Sequence, residues 1–191
     1  MYKTSTHLAW HSRLSARIIQ QGGLIAYPTE TVYGLGCDPL NAEAITKLLD
    51  LKFRPMSKGL IIVAATVEQL LPYIETSQSN IDNTLLSMTD QPTTWSFRAQ
   101  SWVPAWLTGN HTTIAIRLTT HPVAKALCSR LQHPLVSTSA NPPGISPARN
   151  KYILRKCFYK NVDYIMPGDT IAHGKPSIIK DAETGLIVRQ A

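Results

Sequence analysis

Three polar clusters and two isolated arginines carry most of the chemistry available to this 191-residue chain. The run Lys52-Phe53-Arg54-Pro55-Met56-Ser57-Lys58 holds three cations within seven residues. Complementing a helix C-terminus accounts for Lys52, but less well for Lys58. If the segment is extended, the alternate spacing of Lys52 and Arg54 aims both at one polyphosphate, a point charge beside a planar fork. A second cluster, Tyr27–Gly36, packs the hydroxyls of Thr29 and Thr31 around the carboxylate of Glu30. It reads equally as a polar-ligand loop or a capped turn. The third, Ser137-Thr138-Ser139-Ala140-Asn141, sets four small polar side chains before Pro142-Pro143-Gly144. Small residues admit a ligand to the backbone and Asn141 can read a base or ribose edge, yet the same residue types build ordinary turns. Arg117 interrupts an apolar alternation and shares a strand face with Thr113 and Ala115, which is either a solvated face or a site wall. Arg189 ends the last apolar run in the same way.

The elements that must hold these groups follow from periodicity. Helical spacing predicts helices over 8–20, 42–52 and 150–159 and one opening at His121-Pro122, where proline suits the first turn. Short apolar runs predict strands at 24–27, 59–65, 94–98, 112–118, 135–138 and 162–166. Thr66-Val67-Glu68-Gln69 offers a capping box and predicts a further helix. The polar stretch Thr76–Asn83 reads as a loop entering a helix. Ile178-Ile179 and Leu186-Ile187-Val188 flank a turn at Glu183-Thr184-Gly185, a terminal hairpin. Strands and helices interleave, so the fold class is α/β, a mixed sheet flanked by helices in one domain spanning 1–191.

Composition narrows the function. Hydrophobic residues make up 43% and charged residues 16%, which excludes a disordered chain. The net charge is +7, all of it in residues 101–191, and points to an anionic partner. Cys37, Cys128 and Cys157 form no CxxC pair, which argues against a disulfide scaffold and a zinc site and for a reducing, cytoplasmic setting. No apolar stretch is long enough for a membrane span. GxxxxGK[ST], GxSxG and HExxH are absent, and Gly34-Leu35-Gly36 fails the dinucleotide pattern at its third glycine. His7 and His11 share helical spacing without an intervening Glu, a solvated face rather than a metal pair.

The runs PTETVYGLGCD, KFRPMSKGLIIVA with its KxR element, IAIRLTTHP and STSAN with its SxN core occur in an order and spacing that resembles the YrdC/TsaC family, the threonylcarbamoyl-adenylate synthases. PSIIKDAETGLIVRQ is similar to that family's closing strand pair. The similarity runs from about Gly22 to Arg189, and the length matches the family's short bacterial form. It implies a twisted α/β sheet with a basic concave face. It also implies synthesis of threonylcarbamoyl-AMP and pyrophosphate from L-threonine, bicarbonate or CO2, and ATP with Mg2+. The product would feed the t6A modification of tRNAs reading ANN codons through a downstream transferase complex, and direct contact with tRNA or double-stranded RNA is a further implication. By matching motif positions, Lys52 and Arg54 are catalytic and hold ATP phosphates. Lys58, Thr113, Ser139, Asn141 and Arg189 also contact ATP, and Thr31, Arg117 and Ser177 contact threonine. No residue is assigned as a protein metal ligand. Arg98 stands where the family usually has proline, which leaves the end of that strand open.

Such a reaction needs positioning and charge neutralisation more than a general base, and Glu30 reads as ordering its loop. The rival reading is a non-catalytic RNA-binding domain, carried by Arg149, Lys151, Arg155, Lys156 and Lys160 with Tyr152, Phe158 and Tyr159 interleaved. Against it, Ile153, Leu154, Cys157 and Phe158 make a helical core face with cations opposite, a common solvated pattern.

Overall fold

The computed structural model describes residues 5–75, 92–142, 144–148, 150–170 and 177–189. Among the described residues nine short strands form one mixed sheet: β1 (Ile25–Pro28), β2 (Tyr33–Gly36), β3 (Ile61–Ala64), β4 (Thr93–Arg98), β5 (Thr113–Leu118), β6 (Leu135–Ser139), β7 (Tyr164–Ile165), β8 (Ile178–Asp181) and β9 (Ile187–Arg189). Their order across the sheet is β7-β1-β2-β6-β3-β5-β4-β8-β9. The pairs β1–β7, β3–β5 and β4–β8 are parallel and the rest antiparallel.

Alternation within the strands divides the core into two layers. Leu35, Ile62, Ile114, Ile116 and Val136 face α2 (Ala42–Leu51) and α5 (Lys151–Phe158), through Ile45, Leu48, Leu154 and Phe158. Ile25, Tyr27, Val63 and Leu135 face α1 (Ser5–Gln20) and α4 (Pro122–Leu131), through Ile19, Leu127 and Cys128. Helix caps follow local chemistry: Asn41 accepts from the Ala44 N–H, and Asn150 from the N–H groups of Tyr152 and Ile153. A short helix, α3 (Ala105–Thr108), lies between β4 and β5. Among the described residues no helix is long and apolar enough to cross a membrane.

Several sequence expectations change. Residues 33–36, read as loop, form β2, because Tyr33 and Leu35 alternate into the core while Gly34 and Gly36 pass close to neighbours. A Cβ on Gly36 would lie 2.6 Å from the Val136 carbonyl oxygen. The helix expected at Thr66–Gln69 does not form. Gln69 instead accepts from the Ala65 N–H and donates to Cys128 O, and a 3-10 turn, Leu71–Tyr73, follows around Pro72. The strand expected over 162–166 shortens to Tyr164–Ile165. On α5, Leu154 and Phe158 are buried, but Ile153 is 44% exposed and lies off the core face. Arg98 does not end its strand early: β4 runs through it, and its side chain pairs with Glu75 at 2.9 Å. The turn of the terminal hairpin is tied by Asp181, which accepts from the N–H groups of Glu183 and Thr184. The expected loop at Thr76–Asn83 lies outside the described residues, as does Arg149 of the basic stretch.

Candidate active site

On the sheet face that bears α1 and α4, strand register lines up Ser137, Ile61, Ala115 and Ser96 as successive cross-strand neighbours, with Gly34 opposite Ser139. Paired residues share a face, so these small side chains form one floor. Two adjoining pockets open on it, of about 310 and 280 Å³. Both are lined by Arg54, Leu60, Ile61 and Arg189, so the two arginines stand where the pockets meet.

The first pocket is walled by Thr29, Thr31, Tyr33, Arg117, Ser137, Ser139 and Ser177. Arg117 is not on a solvated face: its side chain is 12% exposed and its Nη2 lies 3.4 Å from Glu30 Oε2. The other carboxylate oxygen of Glu30 accepts from the Thr119 hydroxyl at 2.7 Å and from the N–H groups of Thr120 and His121. Burial pushes the Glu30 carboxyl up, but Arg117, Thr119 and the backbone N–H donors outweigh it and hold it below the usual range. An ionised carboxylate held through one oxygen by three donors and paired through the other with Arg117 orders its surroundings and is a poor proton acceptor. Ser177 is placed by the buried Thr94, whose hydroxyl donates to it at 3.2 Å.

The second pocket is lined by Lys58, Ser96, Leu107, Thr108, His111, Thr113, Ala115, Ile179 and Val188 besides the shared residues. It combines apolar Leu107, Ala115, Ile179 and Val188 with Lys58, His111 and hydroxyls, and Thr113 accepts from the Ser96 hydroxyl at 2.8 Å. Arg54 turns back on its own loop, donating to Gly59 O at 2.8 Å. Burial and the nearby Arg189 both lower its pKa, which is the electrostatic signature of cations gathered without an anion. The loop is packed rather than loose: the Leu60 N–H donates to Leu107 O and the Asn110 N–H to Ser57 O, each at 3.0 Å. Gly59 and Gly109 permit this, both at positive φ and each with backbone within 2.6 Å of where a Cβ would stand.

The expected extended alternation of Lys52 and Arg54 is absent. Lys52 is the α-helical C-cap of α2, and Phe53 follows at φ 45, so the two side chains part. Lys52 Nζ donates to Ser139 O at 2.6 Å, Asn141 O at 2.5 Å and Asn141 Oδ1 at 2.8 Å. Asn141 Oδ1 also accepts from the Ser139 hydroxyl at 2.6 Å, and its amide donates to Ile145 O. Lys52 therefore ties the end of α2 to the Ser139–Asn141 turn with all three of its protons. Burial, then the charge of Arg54, lowers its pKa to about 8.

A family model described as telomere recombination, Sua5_yciO_yrdC, matches residues 17–191. The chain belongs to the Sua5/YciO/YrdC family. Within it, the threonylcarbamoyl-AMP synthase of Nitrosococcus oceani is 46% identical over 180 residues, 94% of this chain and 97% of that one. The synthase of Coxiella burnetii is 44% identical over 92% of this chain and 94% of its own. Pyrococcus abyssi Sua5 complexed with L-threonine superposes with a TM-score of 0.83 at 30% identity, over 91% of this chain. This chain spans about half of that longer protein, 51%. Escherichia coli YciO, at TM-score 0.82 and 24% identity over 95% of this chain and 89% of its own, shares the fold.

Of the ten residues matched to the family's motifs, Thr31, Arg54, Arg117, Ser139, Ser177 and Arg189 line the first pocket, and Lys58 and Thr113 line the second. Lys52 and Asn141 stand behind this wall, joined to Ser139. The sequence left Ser137, His111, Thr119 and His121 unassigned, while Glu30, read as ordering its loop, does so through Thr119, Thr120, His121 and Arg117. Ser137 lies inside the STSAN run and Thr119 and His121 inside IAIRLTTHP, whereas His111 lies in no quoted run. Three or more His, Cys, Asp or Glu side chains able to hold a metal do not come together among the described residues.

Proposed function

We propose that this chain makes threonylcarbamoyl-AMP and pyrophosphate from L-threonine, bicarbonate or CO2, and ATP. The observation that carries the proposal is the meeting of two pockets at Arg54 and Arg189, one lined by hydroxyls and a fixed arginine, the other by Leu107, Ile179 and Val188 with Lys58 and Thr113. Threonine fits the first. Arg117, held by Glu30, offers a donor fork to its carboxylate, with Thr31 and Ser177 near its polar groups. Adenosine fits the second, against Leu107, Ile179 and Val188, with Thr113 as a polar handle. The triphosphate then lies at the junction, where Arg54, Arg189 and Lys58 neutralise it. Ser139 and Asn141 form the nucleotide-side turn, and Lys52 acts on the nucleotide through that turn.

The threonine amine takes up carbon as a carbamate. A carbamate oxygen attacks the α-phosphorus, and pyrophosphate leaves with its charge spread over the arginines. Positioning and fixed charge carry this step, and no protein nucleophile is required. Glu30 is the carboxylate beside the first pocket and is already engaged by Arg117, the Thr119 hydroxyl and the N–H groups of Thr120 and His121. Mg2+ accordingly enters on the nucleotide as part of the substrate, shielding phosphate charge. The proposal takes residues 1–191 as one domain, supported by the single sheet through all described strands. It includes a cytoplasmic setting, delivery of the product to a t6A transferase complex, and tRNA as the final acceptor. The test is pyrophosphate release by the purified protein. Release that requires L-threonine, bicarbonate and ATP together is expected, and release without threonine overturns the reading.

A further inference from the structure

The proposed reaction draws no residue from α1. The family model begins at residue 17, so His7, Trp10 and His11 lie ahead of the matched region. The spacing of the two histidines reads as a solvated helix face, and for His7, which is exposed, that holds. It does not hold for His11, which is half-buried among aromatic rings. The Trp10 ring meets it edge-on with centroids 4.8 Å apart, and the Tyr164 ring, on β7, lies within 25° of parallel to it at 6.0 Å. The His7 ring completes the group at 4.2 Å.

Side chains at i and i+4 stand one above the other on a helix. Here that brings His7 Nε2 and His11 Nε2 to 3.0 Å from each other. Two imidazole nitrogens on a tetrahedral zinc, each at about 2.05 Å, stand about 3.3 Å apart, and adjacent nitrogens on a square or octahedral ion about 2.9 Å apart. The observed spacing falls between these values. A small rotation of the exposed His7 ring turns its lone pair from His11 to a shared ion. The other nitrogen of His11, Nδ1, is hydrogen-bonded to the Tyr164 hydroxyl. With Nδ1–H donating to the phenol oxygen, the Nε2 lone pair is left facing His7. A ligating histidine needs such an outer partner to fix its tautomer and ring orientation. Burial and the nearby His7 also hold the His11 pKa below its usual 6.5, which keeps the ring neutral and able to ligate at neutral pH.

We infer that His7 Nε2 and His11 Nε2 form a surface site for one divalent late first-row transition ion, zinc, nickel or copper, with Tyr164 orienting His11 and water completing the coordination. Imidazole suits these ions, whereas Mg2+ and Ca2+ prefer oxygen. In the metal-free protein His7 Nε2–H donates across the gap. When an ion takes its place, His7 carries its proton on Nδ1 instead, as an exposed ring is free to do. The bound ion clips the first turns of α1 to the edge strand β7 through the His11–Tyr164 bond. The site stands apart from the synthase reading and does not depend on it.

Zinc is the probe, added as the ion alone to metal-stripped full-length protein, with binding followed by calorimetry and melting by circular dichroism. One saturable site per chain is expected. At about ten times its dissociation constant the ion should raise the melting temperature by about 3–6 °C, and Mg2+ at the same concentration should not. His7→Gln changes an exposed side chain and should weaken zinc binding by more than about tenfold, while Tyr164→Phe, which keeps the ring, should weaken it by about tenfold through the lost outer partner. Unchanged affinity in His7→Gln places the ion at another histidine or cysteine and overturns the inference. So does a shift of equal size from Mg2+. The lack of any saturable site overturns it too, and leaves the His7–His11 contact as a hydrogen bond alone. Unchanged affinity in Tyr164→Phe overturns the part given to Tyr164. Quenching of tryptophan fluorescence by Cu2+ locates the ion without a histidine variant, because Trp10 is in contact with His11. The quenched component should be missing in Trp10→Phe, and quenching of equal amplitude there overturns the location.

Discussion

Arg117 and Arg54 both face the first pocket, yet they are held by opposite means. Arg117 rises from the middle of β5, is nearly buried, and is matched by a carboxylate locked to three backbone and hydroxyl donors. Arg54 follows a helix end, hangs on carbonyls of its own loop, and stands beside other cations with no counter-charge among the described residues. The first arrangement fixes geometry before a ligand arrives. The second leaves positive charge unspent until a polyphosphate supplies the anion. A small amino acid is selected by a rigid fork, and a flexible, highly charged triphosphate by field.

The comparison breaks first at Arg54. Arg54→Ala should lower pyrophosphate release by about 10³-fold or more with the circular dichroism spectrum intact. Near-normal turnover would remove it from the phosphate site. Next in size is Glu30. Glu30→Ala leaves Arg117 buried and unpaired and should cost about 3–5 kcal/mol in denaturant unfolding. Because the Glu30 carboxyl is held below its ordinary value of 4.5, its ion pair adds stability above that pH and loses it as pH falls through the folded value. Unfolding midpoints between about pH 3 and 6 should therefore fall less steeply in Glu30→Gln than in wild type.

Arg117→Ala should raise the threonine KM about 10- to 100-fold and the ATP KM much less, the loss of a charge-assisted pair. An unchanged threonine dependence would dissolve the contrast drawn above. A smaller effect concerns Lys52. Its folded pKa of about 8 lies below its ordinary 10.5, so the unfolded chain binds the extra proton between those values and stability rises with pH across that window. Over the same window the ammonium loses a proton that ties down the Ser139–Asn141 turn, so the ATP KM should climb above pH 8 in wild type. In Lys52→Met the ATP KM should be high and flat with pH. The smallest effect belongs to Arg98 and Glu75, whose side chains are 67% and 41% exposed. Arg98→Ala should change unfolding free energy by about 0.5 kcal/mol or less.

Several elements could be read before folding because their signals are local. Pro122 after His121 starts α4, Asn150 caps α5, and the alternation of Ile114, Ile116 and Leu118 marks β5. β2 was hidden because its glycines look like loop residues. They are required by the approach of Val136 and Tyr27, which lie far away in sequence or on another strand. Thr66–Gln69 carries a helix signal that loses to Gln69, whose side chain bridges to Cys128.

The sequence by itself determined the residue types: a KxR pair, an SxN pair, a threonine-rich run and late arginines, in an order that named the family and its expected pocket. Those are chemical identities, and they need no coordinates. Which of them act together was decided only by the tertiary structure. β3, β5 and β6 bring Ile61, Ala115 and Ser137 into one floor across 76 residues of sequence. Phe53 at positive φ turns Lys52 away from Arg54. Glu30 meets Arg117 through a contact that no local pattern encodes. Register and burial depend on the whole sheet, so which side chains share a pocket is decided only once every strand is paired.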